Sequence, residues 1–181
     1  MLFMNLPNLI TIGRILLVPL TVWLIVSGEF LPAFIVFIIA GLSDAVDGFL
    51  ARRFKLHTEL GRYLDPLADK LLLVSIFVTL GFQKHLPPWL VILVVSRDVM
   101  IVGAIILSWL MDKPITVKPL MVSKATTLAQ ILLAGIALAV LGFELDMGWL
   151  LIAGYIAVAV LTVASAALYM REWARHMANG V

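Results

Sequence analysis

Six stretches of about twenty mostly apolar residues follow one another along the chain, at roughly 9–28, 31–53, 61–82, 87–111, 120–142 and 147–170. A helix that crosses the hydrocarbon core of a bilayer needs about that many apolar residues. Only helices and closed barrels satisfy their backbone polar groups in lipid. Repetition of such segments therefore leaves few architectures open. The breaks between them carry turn chemistry: Ser27-Gly28, Pro87-Pro88, Lys113-Pro114, Lys118-Pro119 and Gly142. The expectation is an all-α integral membrane protein of six transmembrane helices preceded by a short interfacial segment at the N-terminus.

Composition supports that reading. Of 181 residues, 63% are hydrophobic, well above the half or so usual for a soluble domain. No polar half and no Ser/Gly/Pro-rich linker divides the chain, so residues 1–181 read as one domain. The net charge of +2 gives no argument for a nucleic-acid partner. Without cysteine, the chain has neither disulfides nor thiolate metal sites. The opening "MLFMNLPNLITIGRILLVPL" lacks the basic start and small-residue cleavage site of a signal peptide and is expected to be retained.

Lys and Arg set the expected orientation. The 51–62 connection holds Arg52, Arg53, Lys55 and Arg62; the 111–124 connection holds Lys113, Lys118 and Lys124; the tail holds Arg171 and Arg175. The opposite connections have only Lys84. Both termini are therefore expected on the cytoplasmic side.

The chemistry concentrates in "GLSDAVDGFLARRFKLHTELGRYLDPLADK", Gly41 to Lys70. Asp44 and Asp47 are three apart; Asp65 and Asp69 are four apart. On helices both spacings put side chains on one face. The first pair ends one span and the second begins the next, so all four carboxylates can converge. Four such charges cannot gather in low dielectric without a cation, and Mg²⁺ or Mn²⁺ suits oxygen ligands. Gly48 and Gly61 allow close approach to the backbone. Arg52 offers a planar guanidinium to a phosphate-bearing ligand. The bland alternative is a set of charges capping helix ends at the interface. A non-enzymatic cation transporter would also use intramembrane acids. It would need neither the two glycines and the arginine at these gaps nor acids confined to one pair of helices.

The pattern D44-x2-D47-G48-x2-A51-R52-x8-G61-x3-D65-x3-D69 resembles the signature of the CDP-alcohol phosphotransferases at each position. "NLPNLITIGR" resembles the opening of the phosphatidylglycerophosphate and cardiolipin synthases of that family. The resemblance implies transfer of a phosphatidyl group from CDP-diacylglycerol to an alcohol with release of CMP. It implies that Asp44, Asp47 and Asp65 are metal ligands of a two-metal Mg²⁺ or Mn²⁺ site. Asp69 is implied to be a shared ligand and the general base. Gly48, Ala51, Arg52 and Gly61 would line the CDP site, and Asn8 and Arg14 would support it. It further implies a homodimer and, with the basic loops, a bacterial cytoplasmic membrane with the active site facing the cytoplasm.

The acceptor is read from later segments. "SRDVMIVGAII" carries Arg97 but no second arginine near Ile105, where phosphatidylglycerophosphate synthases commonly show one. It resembles the CMP-forming cardiolipin synthases, as does Pro119 to Lys124 in P-x-x-x-S-K. Phosphatidylglycerol is therefore the expected acceptor, with glycerol 3-phosphate the alternative. Arg97 is expected either to contact acceptor or donor phosphate or to hold helices together by an internal ion pair with Asp98. Lys124 is expected either to bind phosphate or to snorkel to the interface.

Overall fold

A computed structural model describes the backbone of residues 6–54, 59–111 and 121–179, and the side chains of 13–43, 70–111 and 121–178. The described residues form six helices and no strand: α1 (Leu6–Val26), α2 (Phe30–Phe54), α3 (Glu59–Phe82), α4 (Pro88–Leu110), α5 (Met121–Gly142) and α6 (Gly148–Asn179). Each matches one apolar stretch of the sequence. The largest departure is α6, which continues nine residues past 170. Among the described residues, α4, α5 and α6 over Gly148–Ala178 are long and apolar enough to cross a membrane. The described apolar stretches of α1, α2 and α3 are shorter, at 13–26, 30–43 and 70–82. Side-chain apolarity runs outward as well as inward: Ile35, Ile38, Ile39 and Leu42 on α2 are exposed, as are Ile152, Ile156, Val160 and Val163 on α6. Such surfaces suit acyl chains, and packing between the helices then rests on close contact rather than on a hydrophobic gain.

The chain separates into two compact units. One comprises Met1–His85 and Ala134–Asp146; the other comprises Leu86–Leu133 and Met147–Val181. In the first unit α1 packs against both α2 and α3. Its core is built from Ile25, Ala33, Phe37, Ala40, Ile76, Phe77 and Leu80, all buried.

Three helices of this unit end in the same way. At the end of α1 the Glu29 N–H donates to Leu24 O (2.9 Å) and the Gly28 N–H to Ile25 O (3.0 Å). That pairing, with Gly28 at φ +79°, is a Schellman cap, which satisfies carbonyls the helix leaves open. The α3 end repeats it through His85 to Leu80 and Lys84 to Gly81. At the α5 end Leu145 donates to Val140 (2.9 Å). Here the left-handed positions are Lys84 (φ 64°) and Glu144 (φ 52°), where a Cβ is strained. Neighbouring groups lock these ends. The Gln83 amide donates to Ile25 O (3.0 Å) and Val26 O (3.3 Å), tying the end of α3 to the end of α1. Phe30 meets His85 edge to face, and Phe34 meets Phe143 likewise. Gly142 lies so close to the start of α2 that a Cβ would stand 2.8 Å from Leu31 Cα and N.

In the second unit α4 packs against α6. Pro88 opens α4, where its missing N–H costs nothing. Gly154 of α6 admits the Leu133 side chain of α5; an added Cβ would stand 2.8 Å from Leu133 Cδ1.

Candidate active site

The helical backbone carries all eight motif residues. Asp44, Asp47, Gly48, Ala51 and Arg52 lie on α2, and Gly61, Asp65 and Asp69 lie on α3. Their side chains, and that of Asn8 on α1, lie outside the described residues. The backbone confirms the element that the spacing required: positions 44 and 47 fall on one continuous helix, and 65 and 69 on another. Both helices pack on α1, so the two halves of the motif share a neighbour. Among the described residues no group of three or more His, Cys, Asp or Glu side chains could hold a metal ion. The motif on α2 and α3 contains four carboxylates in a chain without cysteine. Hard oxygen donors of this kind fit Mg²⁺ or Mn²⁺ and are poorly suited to softer metals.

Arg14 is on α1 and is 2% exposed, the largest of the fully buried side chains among the described residues. Lys124 stands exposed in the first turn of α5.

Arg97 occupies the middle of α4 and is 3% exposed. Its Nη1 donates to Asp98 Oδ1 at 2.7 Å. Its Nη2 donates to Ser123 Oγ on α5 (2.6 Å) and to Ser165 Oγ on α6 (2.7 Å). One guanidinium therefore joins three helices. The sequence offered two roles for Arg97, and the internal ion pair is present. The serines were not foreseen. Their signal was a stripe of polar residues: Ser123, Thr126 and Gln130 on α5, and Thr162, Ser165 and Tyr169 on α6, at helical spacing. Thr126 extends the stripe by donating to Val122 O (2.8 Å) and across to Leu161 O of α6 (3.0 Å). At the far end of α6 the Trp173 indole donates to Ser108 Oγ (2.9 Å) and Ala104 O (3.2 Å) of α4.

Comparison with known proteins decides the family. The model of the CDP-alcohol phosphatidyltransferase family matches residues 4–170. The chain belongs to that family. A relative from Oryza sativa subsp. japonica, named CDP-diacylglycerol--glycerol-3-phosphate 3-phosphatidyltransferase 1, chloroplastic, is 39% identical over 75% of this chain and 46% of its own length. The Homo sapiens cardiolipin synthase (CMP-forming) is 34% identical over 75% of this chain and 50% of its own. The CDP-diacylglycerol--glycerol-3-phosphate 3-phosphatidyltransferase of Aquifex aeolicus is 33% identical over 69% and 70% respectively. The chain thus spans half or less of the length of the rice and human relatives.

Proposed function

We propose that this membrane protein transfers a phosphatidyl group from CDP-diacylglycerol to an alcohol, releasing CMP, and that the alcohol is phosphatidylglycerol, so that the product is cardiolipin. The carrying observation is the eight-residue motif from Asp44 to Asp69 on α2 and α3 of a chain in the CDP-alcohol phosphatidyltransferase family.

Each motif residue has a task in that reaction. Asp44, Asp47 and Asp65, with Asp69 shared, would hold two divalent cations. When bound, these ions supply charge neutralisation at the donor pyrophosphate and at the departing CMP. Asp69 takes the proton of the acceptor hydroxyl as that oxygen bonds to the phosphorus bearing the diacylglycerol. The bond from this phosphorus to the bridging oxygen breaks, and its electron pair leaves with CMP. Gly48, Ala51 and Gly61 leave room for the cytidine nucleotide to approach the backbone, and Arg52 offers paired donors to its phosphates. Asn8 supports the nucleotide end from α1. Catalysis is then chiefly positioning and charge stabilisation.

Arg97 bears on the acceptor. Glycerol 3-phosphate is doubly charged and needs cations to hold its phosphate. The Arg97 charge is matched by Asp98, and one Nη is shared between two serines. Lys124 is left as the exposed cation at the start of α5. Phosphatidylglycerol presents an uncharged hydroxyl and is anchored by its own tails, so it suits a site with fewer cations. Glycerol 3-phosphate remains the second reading, because relatives named for that acceptor match as well. The protein is placed by this proposal in the bacterial cytoplasmic membrane as a homodimer, with its basic connections and active site facing the cytoplasm. The test supplies purified protein, in one vesicle preparation, with CDP-diacylglycerol and both acceptors. Cardiolipin by product mass supports the reading. Phosphatidylglycerophosphate without cardiolipin replaces the acceptor and leaves the transfer chemistry standing.

A further inference from the structure

The threonines with described side chains are Thr21, Thr79, Thr126, Thr127 and Thr162, all within helices. The first four donate to the carbonyl four residues back, at 2.7 to 3.2 Å. That is the local solution for a hydroxyl in an apolar helix. Thr162 does not take it. It is 0% exposed, and its Oγ1 has no hydrogen-bond partner among the described residues. Gln130 on α5 shares the condition: it is 2% exposed, and its buried Nε2 has no acceptor among the described residues.

Register brings these two groups together. Thr126 of α5 donates to Leu161 O of α6, and Leu133 of α5 fills the space at Gly154 of α6. This part of α5 therefore runs antiparallel to α6. Gln130 lies between the two contacts, about 6 Å along α5 from Thr126, while Thr162 adjoins Leu161. Side chains on a helix lean toward its N-terminus. With the helices antiparallel, Gln130 leans toward the level of Thr162 and Thr162 toward that of Gln130.

A polar group in an apolar interior is costly unless it is hydrogen-bonded, and lipid offers it nothing. Gln130 and Thr162 are covered by their own chain, so neither a lipid headgroup nor another subunit reaches them from outside. The partner they need is small and lies inside the unit. It accepts from the amide N–H and bonds to the hydroxyl. Water does both, and internal waters serve buried polar groups of this kind.

We propose that α5 and α6 enclose an ordered water that bridges Gln130 Nε2 and Thr162 Oγ1. The bridge lies on the polar stripe that carries Ser123 and Ser165, and it helps to hold those serines in register for Arg97. It does not depend on the reaction read for α2 and α3.

The test is thermal unfolding of the full chain in detergent, comparing Gln130→Met, Thr162→Val and the double variant. Each substitution nearly keeps the side-chain size and removes the polar group. With a shared water, either single leaves the other group short of a partner, so each should lower Tm. The double variant removes both groups that hold the water, so its Tm should lie above that of either single. Thr162→Ser keeps the hydroxyl and should stay closer to the wild type than Thr162→Val. Shifts in Tm that simply add in the double variant overturn the proposal, whatever their sign. A high-resolution experimental structure of the wild type separates a bridge from a direct bond. Water density within hydrogen-bond distance of both atoms is expected. Gln130 Nε2 bonded straight to Thr162 Oγ1, or Thr162 Oγ1 turned back onto Val158 O, overturns it, as does an organic molecule in that place. Should a single variant not fold, a double variant that folds with a Tm near the wild type supports the bridge; failure of the double as well overturns it.

Discussion

Arg97 Nη2 donates to Ser165 Oγ across 2.7 Å, so α4 and α6 are joined at residues 68 positions apart in the chain. The same nitrogen reaches Ser123 on α5. Removing one hydroxyl leaves the other serine in place, so Ser165→Ala should cost about 1–2 kcal/mol. Arg97→Met removes one partner of Asp98 as well as both serine bonds. It should cost about 2–4 kcal/mol, through the hydrogen bonds lost from one charged group. Denaturant unfolding of the two single variants and the double variant checks this. In the Arg97→Met background Ser165→Ala should cost almost nothing. Equal costs in both backgrounds would show that the bond carries no stability.

Gly142 and Gly103 should respond to alanine in opposite directions. A Cβ at 142 meets the backbone of Leu31 at 2.8 Å, and backbone cannot swing aside. Gly142→Ala should lose about 1–3 kcal/mol through overpacking. At Gly103, in mid-α4, a Cβ meets nothing within 4 Å. Gly103→Ala should gain up to about 1 kcal/mol from helix propensity. Thermal unfolding of the two variants side by side measures the contrast.

The six helices were legible because hydrophobic run length is a direct statement about a bilayer. Their ends were less so. The charges at Arg171, Glu172 and Arg175 end the apolar run, yet α6 continues through them to Asn179. Arg, Glu, Ala and Met are good helix formers, and Trp173 is fastened to Ser108 and Ala104. The motif aspartates were legible because their spacings are helical, and their helices are present. The serine partners of Arg97 were not. Serine in an apolar helix carries little signal by itself, and only tertiary packing brings residues 97, 123 and 165 together. For Arg14 the resemblance implies a supporting role at the nucleotide site; its burial carries no sequence signal.

The proposed orientation rests on the Lys/Arg bias of the connections and is checked by labelling. Single cysteines at Thr58 and Val117 should react with an impermeant maleimide only from the cytoplasmic side of sealed vesicles. A cysteine at Glu144, in the exposed turn after α5, should react only from the other side. The reverse pattern would invert the proposed topology.

Asp69 should separate from the other three aspartates in kinetics. Asp69→Asn should lower turnover by roughly 10² or more if its carboxylate takes the acceptor proton. Binding of CDP-diacylglycerol, followed by equilibrium titration of the purified variant, should change far less. A loss of donor affinity as large as the loss of turnover would make Asp69 chiefly a metal ligand.

The central claim is that the carboxylates on α2 and α3 drive CMP release from a CDP-lipid. Its most direct test is CMP release by purified protein in vesicles holding CDP-diacylglycerol and phosphatidylglycerol, with Mg²⁺ or Mn²⁺ added and then withdrawn by EDTA. The account predicts acceptor-dependent CMP release that stops with EDTA and is lost in Asp44→Asn, Asp47→Asn and Asp65→Asn, each of which keeps the side-chain shape and removes one charge. Full activity in any of these variants, or release of CMP that persists in EDTA, would contradict it.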